Sequence, residues 1–284
     1  MVNIFCFGYG QVAGNFINKL SKKNKINLSY TSRSPKNINN THNIFELNEN
    51  YFDSKIVEKI HEADFILISI PPINGEDIVF KHFESELKKI KAKWITYLSA
   101  TSVYGDHNGD WVNEKSLTKP TSENGISRLA AEKKWISIYK ESNLPIQIFR
   151  LSGIYSNSNN ILKRLKNGSA KIIDKKNHFF SRIHLDDITN ILVESMVNFK
   201  GGEIFNISDD RPASTEEITT FAAELLKIKI PEKITPDKLQ DGMLKNFYRD
   251  SKKVNNDKMK KFFKYKLKFP SFVEGLKFIK DKNF

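Results

Sequence analysis

The apolar positions of this chain fall into short blocks, separated by stretches that repeat with a helical period. Val2–Phe7 is a run of β-formers that ends in a glycine turn. Val12, Phe16, Ile17 and Leu20 then recur at the spacing of a helix buried on one face. Asn27–Thr31 reads as a second strand and Phe52–His61 as a helix. Asp64–Ile70 is an apolar strand stopped by Pro71-Pro72. Ile78–Ile90 is amphipathic, Trp94–Ala100 is another strand, and a loop with Gly105 and Gly109 leads into a long helix over Ser122–Glu141. Pro145–Leu151 is a further strand. Such alternation predicts a parallel sheet with helices on both faces, because parallel strands need crossover connections.

After about residue 151 the pattern loosens. Asn160–Lys166, Thr189–Val197, Thr215–Leu226 and Phe272–Lys280 have helical spacing, while Ala170–Ile173, Phe179–Ile183 and Glu203–Ile207 read as short strands. The chain has no internal repeat and no low-complexity linker. The expected class is α/β: a doubly wound domain over residues 1–155 and a smaller C-terminal α/β substrate lobe over 156–284, parts of which return to the first domain.

The first turn carries candidate chemistry. Gly8-Tyr9-Gly10-Gln11-Val12-Ala13 fits G-x-G-x-x-A between a strand and a helix. Gly8 permits the tight turn, Gly10 lets backbone approach a pyrophosphate, and the small Ala13 lets the helix sit close to the strand. The helix start then offers unpaired N–H groups to an anion. These features predict a Rossmann dinucleotide site, a plain strand-to-helix turn being the alternative. An acid at the end of the second strand would accept a ribose 2′-hydroxyl, but the chain has Thr31-Ser32-Arg33-Ser34 there. A guanidinium with adjacent hydroxyls suits a 2′-phosphate. NADP(H) is therefore expected ahead of NAD(H), unless Arg33 merely points to solvent. Ser69, Ile70 and Pro71 should border the pyrophosphate and the adenosine-side ribose.

Composition narrows the classes. No run of 18 apolar residues exists, so no membrane helix is expected. The apolar start, MVNIFCFGYG, lacks a basic leader and reads as a buried strand and not a signal peptide. Cys6 is the only cysteine, which excludes an intrachain disulfide and a cysteine metal cluster and makes cytoplasmic residence the default. The net charge of +13 suggests nucleic acid, yet only seven of the 46 cationic residues are arginine, and lysine is spread along the whole chain. Solvated lysine faces are the expectation, with no nucleic-acid partner. The aromatic-containing run Lys252–Lys268 should likewise pack its rings inward.

From Leu98-Ser99-Ala100-Thr101-Ser102-Val103-Tyr104-Gly105 onward the chain resembles the extended short-chain dehydrogenase/reductases, the sugar-nucleotide epimerases and dehydratases. Pro120–Glu132 resembles their Pro…Tyr-x-x-x-Lys…Ala-Glu helix, and Phe149–Tyr155 the segment beneath the nicotinamide. Ser181–Asp187 resembles their His-Val-Asp-Asp segment, Phe205–Ser208 a late turn, and Lys258–Leu276 the terminal helices. VYGDHNGDWVNE and FSRIHLDDI are similar to the atypical, YeeZ-like subgroup. The resemblance implies that Ser99, Ala100, Thr101 and Leu151 border the nicotinamide. It also implies a small-molecule substrate with a carbonyl, hydroxyl or sugar-nucleotide character, and a homodimer built through the helix bearing Asn124 and Arg128.

The same resemblance exposes a departure. In the family a tyrosine supplies the proton, a lysine lowers its pKa and holds the ribose, and a Ser/Thr hydroxyl orients the substrate. Here the Ser/Thr position is Ala100, the tyrosine position Asn124 and the lysine position Arg128. An amide cannot cycle a proton near neutral pH, whereas arginine keeps the cation. Tyr104 is the leading substitute acid, against a packing role for the same ring. Asp106, His107 and Tyr155 are weaker candidates, as is His184 with Asp186 and Asp187. The expected activity is an NADP(H)-dependent oxidoreductase or epimerase, with a non-catalytic dinucleotide sensor as the alternative.

Overall fold

A computed structural model describes residues 1–34, 43–235 and 250–283. The elements in order are β1 (Val2–Phe7), α1 (Gln11–Ser21), β2 (Ile26–Ser32), β3 (Asn43–Glu46), α2 (Lys55–Glu62), β4 (Phe65–Ile68), α3 (Ile78–Leu87), β5 (Trp94–Ala100), β6 (Trp111–Val112), α4 (Glu123–Ser142), β7 (Ile146–Leu151) and β8 (Gly153–Tyr155). There follow α5 (Ile161–Lys166), β9 (Ile172–Ile173), β10 (Arg182–His184), α6 (Leu185–Val197), β11 (Ile204–Ile207), α7 (Thr215–Leu226), β12 (Lys233–Ile234), β13 (Lys253–Val254), α8 (Asp257–Phe263) and α9 (Phe272–Asn283). Two compact units emerge. One comprises Met1–Ala100, Ile126–Arg150 and Thr189–Phe205; the other comprises Thr101–Gly125, Leu151–Ile188 and Asn206–Phe284.

The first unit is built on a seven-stranded sheet ordered β11-β7-β5-β4-β1-β2-β3. The pairs β2–β3, β1–β2, β1–β4 and β4–β5 are all parallel. β1 is apolar without alternation because both its faces are covered, as parallel sheets require. On one face Phe5, Phe7, Ile66, Ile68 and Tyr97 pack with Ile56, Ile60, Phe83 and Trp135 from α2, α3 and α4. On the other, Phe16 of α1 stacks on Trp94 with ring centroids 6.0 Å apart, and the indole N–H of Trp94 donates to Ser195 of α6 at 3.0 Å. Strand order reverses between β1 and β4. The crevice beyond their C-terminal ends is where ligands bind in open α/β sheets.

The doubly wound α/β fold expected from the alternation is thus the one observed. Several boundaries moved for local reasons. Asp53 accepts the Lys55 amide at 2.9 Å, so α2 begins at Lys55 and not at Phe52. The strand expected over Asp64–Ile70 pairs only through Phe65–Ile68, after which the Ser69 hydroxyl turns back onto β1. α3 keeps its expected start at Ile78, where the Asp77 side chain caps Val79 and Phe80 at 3.0 and 3.1 Å, but ends at Leu87 and not at Ile90. β3 was missed, since NIFE is too short for alternation to stand out.

Among the described residues, the second unit has the two-stranded parallel pairs β8–β10, β9–β12 and β6–β13. Its core joins Tyr155, Leu162 and Leu165 to Ala222, Ala223, Phe272 and Leu276, drawn largely from α5, α7 and α9. The strand expected over Phe179–Ile183 pairs from Arg182 only; Phe180 instead bridges Ala213.

Candidate functional site

In the first unit, the β1–α1 turn is held from two sides. Gly8 has φ +83°, and its N–H donates to the Thr31 hydroxyl at 2.8 Å. Just past β4, the Ser69 hydroxyl donates to the carbonyls of Phe7 and Gly8 at 3.1 Å each. A Cβ on Gly8 would lie 2.8 Å from Ile70 Cγ1, so only glycine fits there. Gly10 differs: a Cβ there would meet nothing within 4 Å. Gly10 is the N-cap of α1, has an extended backbone and offers no side-chain cap, and the first turn carries no acid. The amides of Val12 and Ala13 therefore lack a partner among the described residues. An uncapped helix start with open space before it is a ready anion cradle.

Tyr9 lies between these glycines, with its ring stacked on Tyr30 of β2 at 4.2 Å. Burial raises the pKa of both phenols. Arg33 and Ser34, just past β2, are exposed, and no ion pair is recorded for Arg33 among the described residues. Gly8, Tyr9, Gly10, Gln11, Val12, Ala13, Ser69, Ile70 and Pro71 thus cluster where β1 and β4 end, with Arg33 at the adjacent strand tip.

At the end of β5, Ser99 does not present a free hydroxyl. It donates to Glu132 Oε1 at 2.6 Å, and Glu132 pairs with Arg150 through contacts of 2.6, 3.0 and 3.2 Å. These two charged side chains are only 3% and 4% exposed. Sequence reading passed over this network, though Arg150 inside the apolar strand IQIFRL signalled it: a buried guanidinium needs a buried acid. Ala100, half-buried, follows Ser99. Arg128 reaches from α4 to the Leu98 carbonyl at 2.6 Å, placing a fixed cation at the sheet's C-terminal edge.

In the second unit, Thr101 opens a single 3-10 turn, Thr101–Tyr104, and Leu151 is buried at the end of β7. The Tyr104 side chain is fully buried, and its hydroxyl donates to Asn206 Oδ1 at 2.8 Å; Asn206 Nδ2 in turn donates to the Asn255 carbonyl at 3.1 Å. Asn124 is exposed at the start of α4. His107 Nε2 lies 3.2 and 3.1 Å from the carbonyls of Tyr104 and Leu117. Tyr155 donates to the Ser271 carbonyl at 3.3 Å, and burial pushes its phenol well up. His184 is buried between Tyr155 and Phe269 and is pushed down to about 4 by burial, with Lys268 adding to the fall and Asp186 opposing it. Its Nδ1 accepts the Asp186 amide at 3.1 Å, while Asp187 accepts Tyr265 and the amides of Lys268 and Phe269 at 2.7, 2.7 and 3.0 Å. Asp187 thus ties the end of β10 to the chain before α9 within this unit. Among the described residues no three His, Cys, Asp or Glu side chains converge to hold a metal ion.

The second unit also contains a cavity of about 630 Å³ that no sequence motif announced. Arg164, Lys171 and Arg182 supply positive charge to its lining, Ile218, Phe272 and Leu276 supply an apolar wall, and no carboxylate lines it among the described residues.

A functionally unknown conserved protein from Silicibacter pomeroyi, solved as a structure, is 30% identical and superposes with a TM-score of 0.89, covering 99% of each chain. This chain and the Silicibacter protein belong to one family. Among curated proteins, the chain is homologous to dTDP-D-glucose 4,6-dehydratase of Dictyostelium discoideum, at 27% identity over 262 residues. That alignment covers 76% of this chain and spans 58% of the length of the relative. The fold also matches NAD-dependent epimerase and dehydratase structures. UDP-glucuronic acid 4-epimerase from Bacillus cereus, in complex with UDP-glucuronic acid and NAD, gives a TM-score of 0.78 at 18% identity, covering 98% of this chain and 99% of that one. No family model matches the chain.

Proposed function

We propose that this chain binds NADP(H) at the β1–α1 turn and acts as an oxidoreductase or epimerase on an anionic, sugar-nucleotide-like substrate. The observation that carries the reading is Gly10: open space where a side chain would stand, in front of an uncapped helix at the point where strand order reverses. The residues fit a dinucleotide. Gly8 to Ala13 would hold the pyrophosphate through backbone amides, Ser69 to Pro71 would wall it, and Arg33 would neutralise a 2′-phosphate. Arg128, fixed on the Leu98 carbonyl, would hold ribose hydroxyls at the lysine position. When bound, the nicotinamide supplies or withdraws hydride. The cation-lined cavity of the second unit suits the phosphates of a nucleotide-linked sugar, the kind of ligand named for the Bacillus cereus epimerase. Placement in the YeeZ-like subgroup is part of the same proposal.

Proton transfer is where this chain departs from a Tyr-x-x-x-Lys enzyme. Asn124 has no proton to give, and Tyr104 spends its hydroxyl on Asn206 inside the second unit, so we read Tyr104 as a packing residue. That observation favours one second reading, a dinucleotide sensor without turnover. The test incubates the protein with NADP+ and UDP-glucuronic acid or dTDP-glucose, and with NADPH and a carbonyl panel, reading nicotinamide absorbance for net hydride transfer and chromatography of the sugar nucleotide for redox-neutral epimerisation or dehydration. Enzymatic turnover with either supports an enzyme, tight NADPH binding with no turnover across the panel supports the sensor, and no NADPH binding by folded protein refutes both.

A further inference from the structure

We infer that Tyr9 is a specificity residue for the adenosine end of the cofactor, its phenol donating a hydrogen bond to a 2′-phosphate beside Arg33. The inference rests on the NADP(H) reading above and deepens it. Residues between two glycines of a phosphate turn serve the turn through their backbone, so an aromatic side chain there needs its own reason. Tyr9 is clamped. One face stacks on Tyr30 at 4.2 Å with an interplanar angle of 21°, and the ring edge lies 3.8 Å from where Gly14 would carry a Cβ. A Cβ on Gly14 would stand in ordinary van der Waals contact with that ring, which therefore lies against the first turn of α1. The ring remains 37% exposed, and its hydroxyl has no recorded partner among the described residues. Aromatic rings in a structure commonly hide their faces; this one is held by its stack on Tyr30, in a residue that is still partly exposed.

The neighbourhood specifies the ligand chemistry. Tyr30 precedes Thr31, the residue that receives the Gly8 amide, so the stack belongs to the same turn that would seat the pyrophosphate. Ser32 shares the strand face of Tyr30, two residues on. Arg33 and Ser34 follow, and no acid occurs between Ile26 and Ser34. Burial and the flanking Cys6 and Tyr30 raise the Tyr9 phenol above its ordinary value, so it stays a donor throughout the neutral range. A rigid O–H donor and an exposed guanidinium make a site for a phosphate dianion, and the neighbouring carboxylate, Glu46 opposite Ser32 on β3, already accepts the Asn48 side-chain amide at 3.0 Å.

The test compares NADP+ and NAD+ by calorimetry on the full chain, wild type against Tyr9→Phe, with Arg33→Ala alongside. Tyr9→Phe keeps the stack on Tyr30, and an unchanged melting curve checks that. The expected result is roughly 30-fold weaker NADP+ binding with NAD+ unchanged, the size of one lost hydrogen bond to a charged group. The phosphorus resonance of the 2′-phosphate should also lose part of its bound-state shift in Tyr9→Phe. Equal losses for both cofactors would make Tyr9 part of the shared cradle and overturn the inference. So would unchanged NADP+ affinity, or wild-type protein that binds NAD+ alone. Wild-type protein that binds neither nucleotide instead brings down the NADP(H) reading itself.

Discussion

Adding one methyl group at each of the two glycines of the β1–α1 turn should have opposite consequences. Gly8 sits at φ +83°, where an alanine is strained by about 1–2 kcal/mol. Its Cβ would also stand 2.8 Å from Ile70 Cγ1, and relieving such overlap costs on the order of 1–2 kcal/mol more. Gly8→Ala should therefore lose about 2–4 kcal/mol of stability. Gly10 has an ordinary φ of −81° and nothing within 4 Å of the added methyl, so Gly10→Ala should melt within a few tenths of a kcal/mol of wild type. The new methyl would nevertheless occupy the approach to the Val12 and Ala13 amides. Losing one charge-assisted hydrogen bond of about 2 kcal/mol weakens binding roughly 30-fold, and losing two weakens it further. Calorimetric titration with NADPH, paired with thermal melts of the same samples, reads both effects. Gly10→Ala protein that binds NADPH as wild type does would refute the phosphate cradle, and a Gly8→Ala protein as stable as wild type would refute the steric reasoning.

Other expectations concern the interior. Glu132→Gln should cost about 3–5 kcal/mol in denaturant unfolding because it strands the buried Arg150 guanidinium, whereas Glu132→Leu with Arg150→Leu should recover much of that loss. Tyr104→Phe should lower stability by about 1–3 kcal/mol through the orphaned Asn206 carbonyl while leaving NADPH affinity unchanged. His178 and His184 are both pushed down to about 4 by burial, His178 further lowered by Lys175 and Lys252 against Asp106. Each folded-state value lies below the unfolded one, so unfolded protein binds more protons. The stability is therefore complete above pH 6.5 and is lost as pH falls from there towards 4. Each histidine accounts for at most about 3 kcal/mol. Melting curves across that window check the slope, which His184→Phe should flatten.

What could be read from the chain alone followed from periodicity and from residues with a single physical use. β1, α1 and the glycine turn announced themselves because a buried strand, an amphipathic helix and two glycines fall in one unbroken stretch. The absence of an acid at Arg33 was equally visible. The Glu132–Arg150–Ser99 network was not, because its members lie on three elements, β5, α4 and β7, whose meeting depends on tertiary packing. The cavity of the second unit stayed hidden for the same reason: Arg164 and Arg182 come from the short elements α5 and β10, and Lys171 from the loop before β9. Tyr104 illustrates the limit of motif reading. The motif located it, but only the Asn206 contact showed that its hydroxyl is already engaged.

The most direct test of the dinucleotide site is amide resonance mapping of the labelled full chain during addition of NADPH, then of NADH. The expected result is saturable shifts at Gly10, Gln11, Val12 and Ala13 with both nucleotides, and shifts at Arg33 and Ser34 with NADPH alone. Folded protein whose first α1 amides stay in place at saturating nucleotide would contradict the central claim.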